Sequence, residues 1–165
     1  MRDLWGQEYR TSSADCAAAL DAYYAAFMSF GRGRGAAILR AVKADPSCAL
    51  AAALAAQFVG PRDPAGAAAF LAAAADNLGK ATHYERAVFR TLSALVGDDK
   101  DEEVALRVAE RIPQGSHVSE ESTAHLLLYR KAGFIPEICR TSYRKLQCIL
   151  CLQILHRLFS PRKLK

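Results

Sequence analysis

Cys139, Cys148, Cys151 and His156 crowd into the last 27 residues of this 165-residue sequence. Cys148-x-x-Cys151 followed by His156 has the first three ligand spacings of a zinc knuckle, but the fourth position is Pro161. Cys139 would have to complete the tetrahedron that structural zinc requires. The intervening Ile149, Leu150, Leu152, Ile154 and Leu155 are helix and core formers, and cysteines three apart on a helix share a face. Buried apolar thiols therefore explain the pair better than a metal or redox centre, and no βαβ pattern accompanies it.

Other candidate chemistry reduces in the same way. Gly31-Arg32-Gly33-Arg34-Gly35 offers backbone N–H groups and guanidinium groups to a phosphate. It lacks the preceding strand and the Lys-Ser/Thr of a phosphate loop, so it reads as a connector between helices. The acidic run 98–103 lacks the alternating ligands and glycine of a calcium loop and reads as a solvated helix start. His83, His117, His125 and His156 are dispersed, with no His-Glu-x-x-His and no nucleophile elbow. Tyr23, Tyr24, Phe27 and Phe30 have the spacing of a helix face, which fits a core better than a peptide groove. The expectation is a non-enzymatic protein with no catalytic, cofactor-binding or metal site.

The elements that carry these residues are helical. The chain is 52% hydrophobic but only 8% aromatic, and its 32 alanines supply much of the difference. Alanine has the best helix propensity and lets backbones approach closely, whereas sheets favour β-branched and aromatic residues. Start and stop signals then mark the helices. A capping-box-like Ser12 precedes Asp15, and Cys16, Leu20, Tyr23, Tyr24, Phe27 and Met28 form one apolar stripe, ended by the glycine-arginine run. A second helix over 36–44 turns Ile38, Leu39 and Val42 inward. Asp45-Pro46 predicts a third start, running to about 58, and Asp63-Pro64 a fourth, over 64–78 with a stop at Gly79. Thr82 and Glu85 form a capping box opening a helix with Tyr84, Val88, Phe89, Leu92 and Leu95 inward, stopped by Gly97. A sixth helix carries Val104, Leu106, Val108 and Ile112. Short connections predict an all-α fold of antiparallel helix pairs stacked as a partial α-solenoid.

A strict 34-residue tetratricopeptide signature is not visible. The series Trp5-Gly6, Thr11-Ser12-Ser13, Cys16, Tyr23-Tyr24, Phe30-Gly31-Arg32 and Lys43-Ala44-Asp45-Pro46 nevertheless resembles the tetratricopeptide repeat protein 38-like family, in a plant-like version. Leu54-Ala55-Ala56-Gln57-Phe58 and Tyr84-Glu85-Arg86-Ala87-Val88-Phe89 extend the resemblance over roughly residues 2–111. It implies a tetratricopeptide-like α-solenoid that mediates protein–protein contacts, with no catalytic residue to carry over.

The helical region is read as 1–112, followed by a linker at 113–118 and a divergent basic helical tail at 119–165. Composition changes at the boundary. Through Glu110 there are 30 alanines and a formal charge of −2; from Arg111 onward there are 2 alanines and a charge of +7. The break predicts a truncated or altered product of the family, with a poorly ordered tail and an uncapped solenoid end through which copies associate. The alternative is a peripheral binder of anionic membrane or nucleic acid, using the basic amphipathic stretch from Pro136 onward. The apolar stretch 146–159 is too short and polar to span a bilayer. An odd count of five cysteines and no apolar leader predict a reducing, cytoplasmic setting.

Overall fold

The computed structural model describes residues 1–3, 6–29, 31–97 and 101–110. The expected linker at 113–118, the basic tail and its cysteine-histidine group lie outside the described residues. Among the described residues six helices follow in order: α1 Ala14–Met28, α2 Arg34–Ala44, α3 Ala49–Val59, α4 Pro64–Asp76, α5 His83–Val96 and α6 Glu102–Glu110. A 3₁₀ turn, Leu78–Lys80, joins α4 to α5. No strand occurs among the described residues; an isolated antiparallel bridge joins Arg2 to Glu8. The fold is all-α, as composition and periodicity predict.

Side chains at the helix ends set the boundaries, and several depart from expectation by a few residues. The N-cap of α1 is Ser13 rather than Ser12, its hydroxyl accepting from the Cys16 amide at 3.1 Å. The shift arises because the Thr11 hydroxyl accepts from the Ser13 amide at 3.1 Å and turns the chain there. Gly33, in the left-handed region at φ 97°, starts α2 at Arg34, two residues early. The Asp45-Pro46 start fails. Asp45 spends its carboxylate on the Ser47 amide and hydroxyl and on the Thr11 hydroxyl, so 45–48 is a turn and α3 begins at Ala49.

Other starts agree, while the end of the fourth helix falls two residues short of the expected 78. Asp63 caps α4 through the Gly66 amide at 2.8 Å, with Pro64 in the first turn. That helix closes at Asp76, because the Asn77 side-chain amide donates to the Ala73 carbonyl. Thr82 and Glu85 form the expected capping box on α5, and the Asp101 carboxylate accepts from the Val104 amide at the start of α6.

Consecutive helices pack as pairs, α1 on α2, α3 on α4 and α5 on α6, and α3 also meets α2 and α5. The central α3 is therefore enclosed, and every residue from Ala49 to Ala56 is buried. Six of those eight are alanine, so neighbours approach the α3 backbone closely, and Leu50 and Leu54 supply the bulk. On α2 the buried face is Ile38 and Ala41. Leu39, expected inward, is 44% exposed, because Ala41 rather than a leucine takes the next place on the inner face.

Burial also recurs along the chain. Cys16, Leu50 and Tyr84 are 34 residues apart and all buried, as are Ala19, Ala53 and Ala87, and Leu20, Leu54 and Val88. The helices that hold them, α1, α3 and α5, begin at Ala14, Ala49 and His83. Across one such step the Tyr23 hydroxyl donates to Gln57 Oε1 at 3.4 Å.

Candidate functional site

Polar chemistry inside the molecule gathers where residues 1–3 and 6–13 meet α1 and the amino-terminal ends of α3 and α5. Three contacts hold this strap. The Thr11 hydroxyl donates to Asp45 Oδ2 at 2.6 Å, the Thr82 hydroxyl donates to the Glu8 carbonyl at 2.9 Å, and the terminal amine donates to the Tyr9 carbonyl at 3.0 Å. An Arg2–Glu8 ion pair at 3.0 Å is solvent-exposed on both sides and adds little.

Beneath the strap, Asp3, Tyr24 and Tyr84 converge in one buried cluster. Burial pushes both phenols well above the usual tyrosine range, and the Asp3 carboxylate adds to it. Tyr9 is raised too, by burial first and then by the charge of Asp21. None of the three is a ready proton donor at neutral pH. Burial also lifts the Asp21 carboxyl. Asp45 goes the other way: burial alone would raise it, but the donors from Ser47 and Thr11 together hold it below the ordinary value.

Two cysteines far apart in sequence are buried in the same core. Cys16 lies in the first turn of α1, and Cys48 is the N-cap of α3. Their relative exposures are 0% and 1%, and both thiols are free. The influence of Cys48 lowers the Cys16 thiol against the opposing effect of burial, with the Thr11 hydroxyl adding to it. The influence of Cys16, and then burial, raises Cys48.

No family model, curated protein or solved structure matches the chain.

The glycine-arginine run is accounted for by packing. Gly33 takes a left-handed turn, a Cβ on Gly35 would stand 2.7 Å from the Phe58 ring, and the Arg34 guanidinium lies 5.9 Å from the centre of the Phe27 ring. Those roles make it a connector. Tyr23 and Tyr24 are buried, as the core reading of the aromatics predicts, and Phe27 packs partly buried against the same core. Phe30 lies outside the described residues. In the acidic run, Asp101 caps α6, and Glu103 pairs with Arg107 at 2.8 Å on the exposed surface. Among the described residues no group of three or more His, Cys, Asp or Glu side chains is placed to hold a metal. No helix among them is long and apolar enough to cross a membrane.

Sequence reading missed that Cys16 and Cys48 share one core. A 34-residue register contains the signal: Cys48 lies two residues before Leu50, the position equivalent to Cys16.

Proposed function

We propose that the chain is a non-enzymatic helical-repeat protein of tetratricopeptide type that works by docking segments of other proteins. The observation that carries this reading is the 34-residue recurrence of buried positions in α1, α3 and α5, matched by the pairing of each of these helices with the one that follows it. Repeat units of this kind bury their faces against one another and leave an extended surface for partners. The polar side chains under the strap fit such a scaffold, because they are buried and the Asp3 carboxylate accepts from the Gln7 amide, holding backbone in place. The resemblance to the tetratricopeptide repeat protein 38-like family supports the same reading. Free thiols at Cys16 and Cys48 fit a reducing, cytoplasmic setting.

Cross-linking mass spectrometry of the full-length chain in a cell extract tests the proposal. Expected are cross-links from partner proteins that cluster on one exposed face of the helical region and disappear when excess unlabelled chain competes. Cross-links no more frequent than for an unrelated helical protein, or turnover of a small molecule by the purified chain, would overturn it.

A further inference from the structure

We propose that Arg32 is a modification site, at which a protein arginine methyltransferase moves a methyl group from a sulfonium donor to the guanidinium. Arg32 stands exposed at the apex of the turn between α1 and α2, with Gly31 on one side and Gly33 on the other. Both shoulders of the turn are fixed. The Gly31 amide donates to the Ala26 carbonyl at 2.8 Å, and the Gly33 carbonyl accepts from the Ala37 amide at 2.9 Å. Between them the Arg32 side chain has no hydrogen-bond or ion-pair partner among the described residues. Space beside it is open, since a Cβ on Gly33 would meet nothing within 4 Å. Arg34 makes an internal comparison. Glycines flank it too, but it opens α2, is half-buried, and holds its guanidinium 5.9 Å from the centre of the Phe27 ring.

The chemistry explains why these surroundings matter. A guanidinium stays protonated and is a weak nucleophile, so an enzyme must enclose it and supply a carboxylate to take its proton. Enclosure needs an unpartnered side chain whose chain neighbours add no bulk, and residues 31–33 offer both. In the transfer, a guanidinium nitrogen attacks the sulfur-bound methyl carbon. The N–C bond forms, the C–S bond breaks with its electron pair left on sulfur as a neutral thioether, and one N–H proton passes to the enzyme carboxylate. Arg32 keeps its positive charge and loses a hydrogen-bond donor, which weakens bidentate capture of a partner's carboxylate at this connector.

The test incubates the full-length protein with a eukaryotic cell extract and S-adenosylmethionine carrying a deuterated methyl group, then maps the label by mass spectrometry. A glycine-arginine-rich peptide in the same extract reports active enzyme. Expected is label on Arg32 at roughly fivefold the level on Arg34 or more, because Arg34 must first leave the Phe27 ring. Arg32→Lys removes that label, and Arg34→Lys leaves it in place. Four outcomes overturn the proposal: a labelled peptide beside an unlabelled Arg32, equal label on Arg32 and Arg34, label on Arg32 only after the chain is denatured, or label spread evenly over exposed arginines such as Arg10 and Arg90.

Discussion

Thr82 and Glu85 cap one another: the Glu85 amide donates to the Thr82 hydroxyl at 3.2 Å, and the Thr82 amide donates to the Glu85 carboxylate at 2.8 Å. The same hydroxyl donates its proton to the Glu8 carbonyl. One side chain therefore both starts α5 and pins the strap. Thr82→Ala should lower stability by about 1–2 kcal/mol in denaturant titration, and Thr82→Ser should recover most of it. An alanine variant as stable as the original would remove both roles.

Asp45 sets an acid limit. Its carboxylate is held below the ordinary pKa by donors from Ser47 and Thr11 that outweigh burial. A depressed folded-state pKa contributes stability that is complete above the unfolded value of about 3.9 and is lost as pH falls through the folded value. Asp45→Asn should therefore be less stable at neutral pH by about 1–3 kcal/mol, with the gap narrowing below about pH 4. Asp21 has the opposite sign. Its raised carboxyl favours folding at low pH, and that contribution fades as pH rises through the folded value. Parallel pH titrations of the two asparagine variants should diverge in these directions.

The α1–α2 connector is specified by backbone space. Gly33 at φ 97° leaves no unstrained place for a Cβ, so Gly33→Ala should cost about 1 kcal/mol. At Gly35 the obstacle is the Phe58 ring, 2.7 Å from an added Cβ. Gly35→Ala should cost about 1–3 kcal/mol. Trimming the ring with Phe58→Leu should be less harmful in the Gly35→Ala background than alone, and strict additivity in that double-mutant cycle would disprove the contact.

Alanine in α3 acts as a spacer. Ala53 is fully buried in a helix enclosed by α2, α4 and α5. Ala53→Leu should destabilise by about 1–3 kcal/mol despite adding apolar surface, because its neighbours cannot move apart cheaply. Leu54→Ala, one residue on, should cost about 2–5 kcal/mol by opening a cavity. Thermal melts distinguish close packing from a loose bundle, in which Ala53→Leu would be neutral or stabilising.

Local chemistry made the helices legible in the sequence. Asp63-Pro64, the Thr82–Glu85 box and the stripe from Cys16 to Phe27 act over three or four residues, so residue type and spacing were enough to place α4, α5 and α1. Where an end is set by a distant partner, sequence reading slipped: Asp45 caps no helix because Thr11, 34 residues away, and Ser47 occupy its oxygens. Only the tertiary structure decided which apolar residues lie inward, which is why Leu39 is exposed while Ala41 is buried. It alone brought Cys16 and Cys48 into one core and tied the strap to Asp45 and Thr82. A thiol's neighbours depend on how helix pairs stack, and stacking follows from the summed fit of many small faces that no local pattern contains.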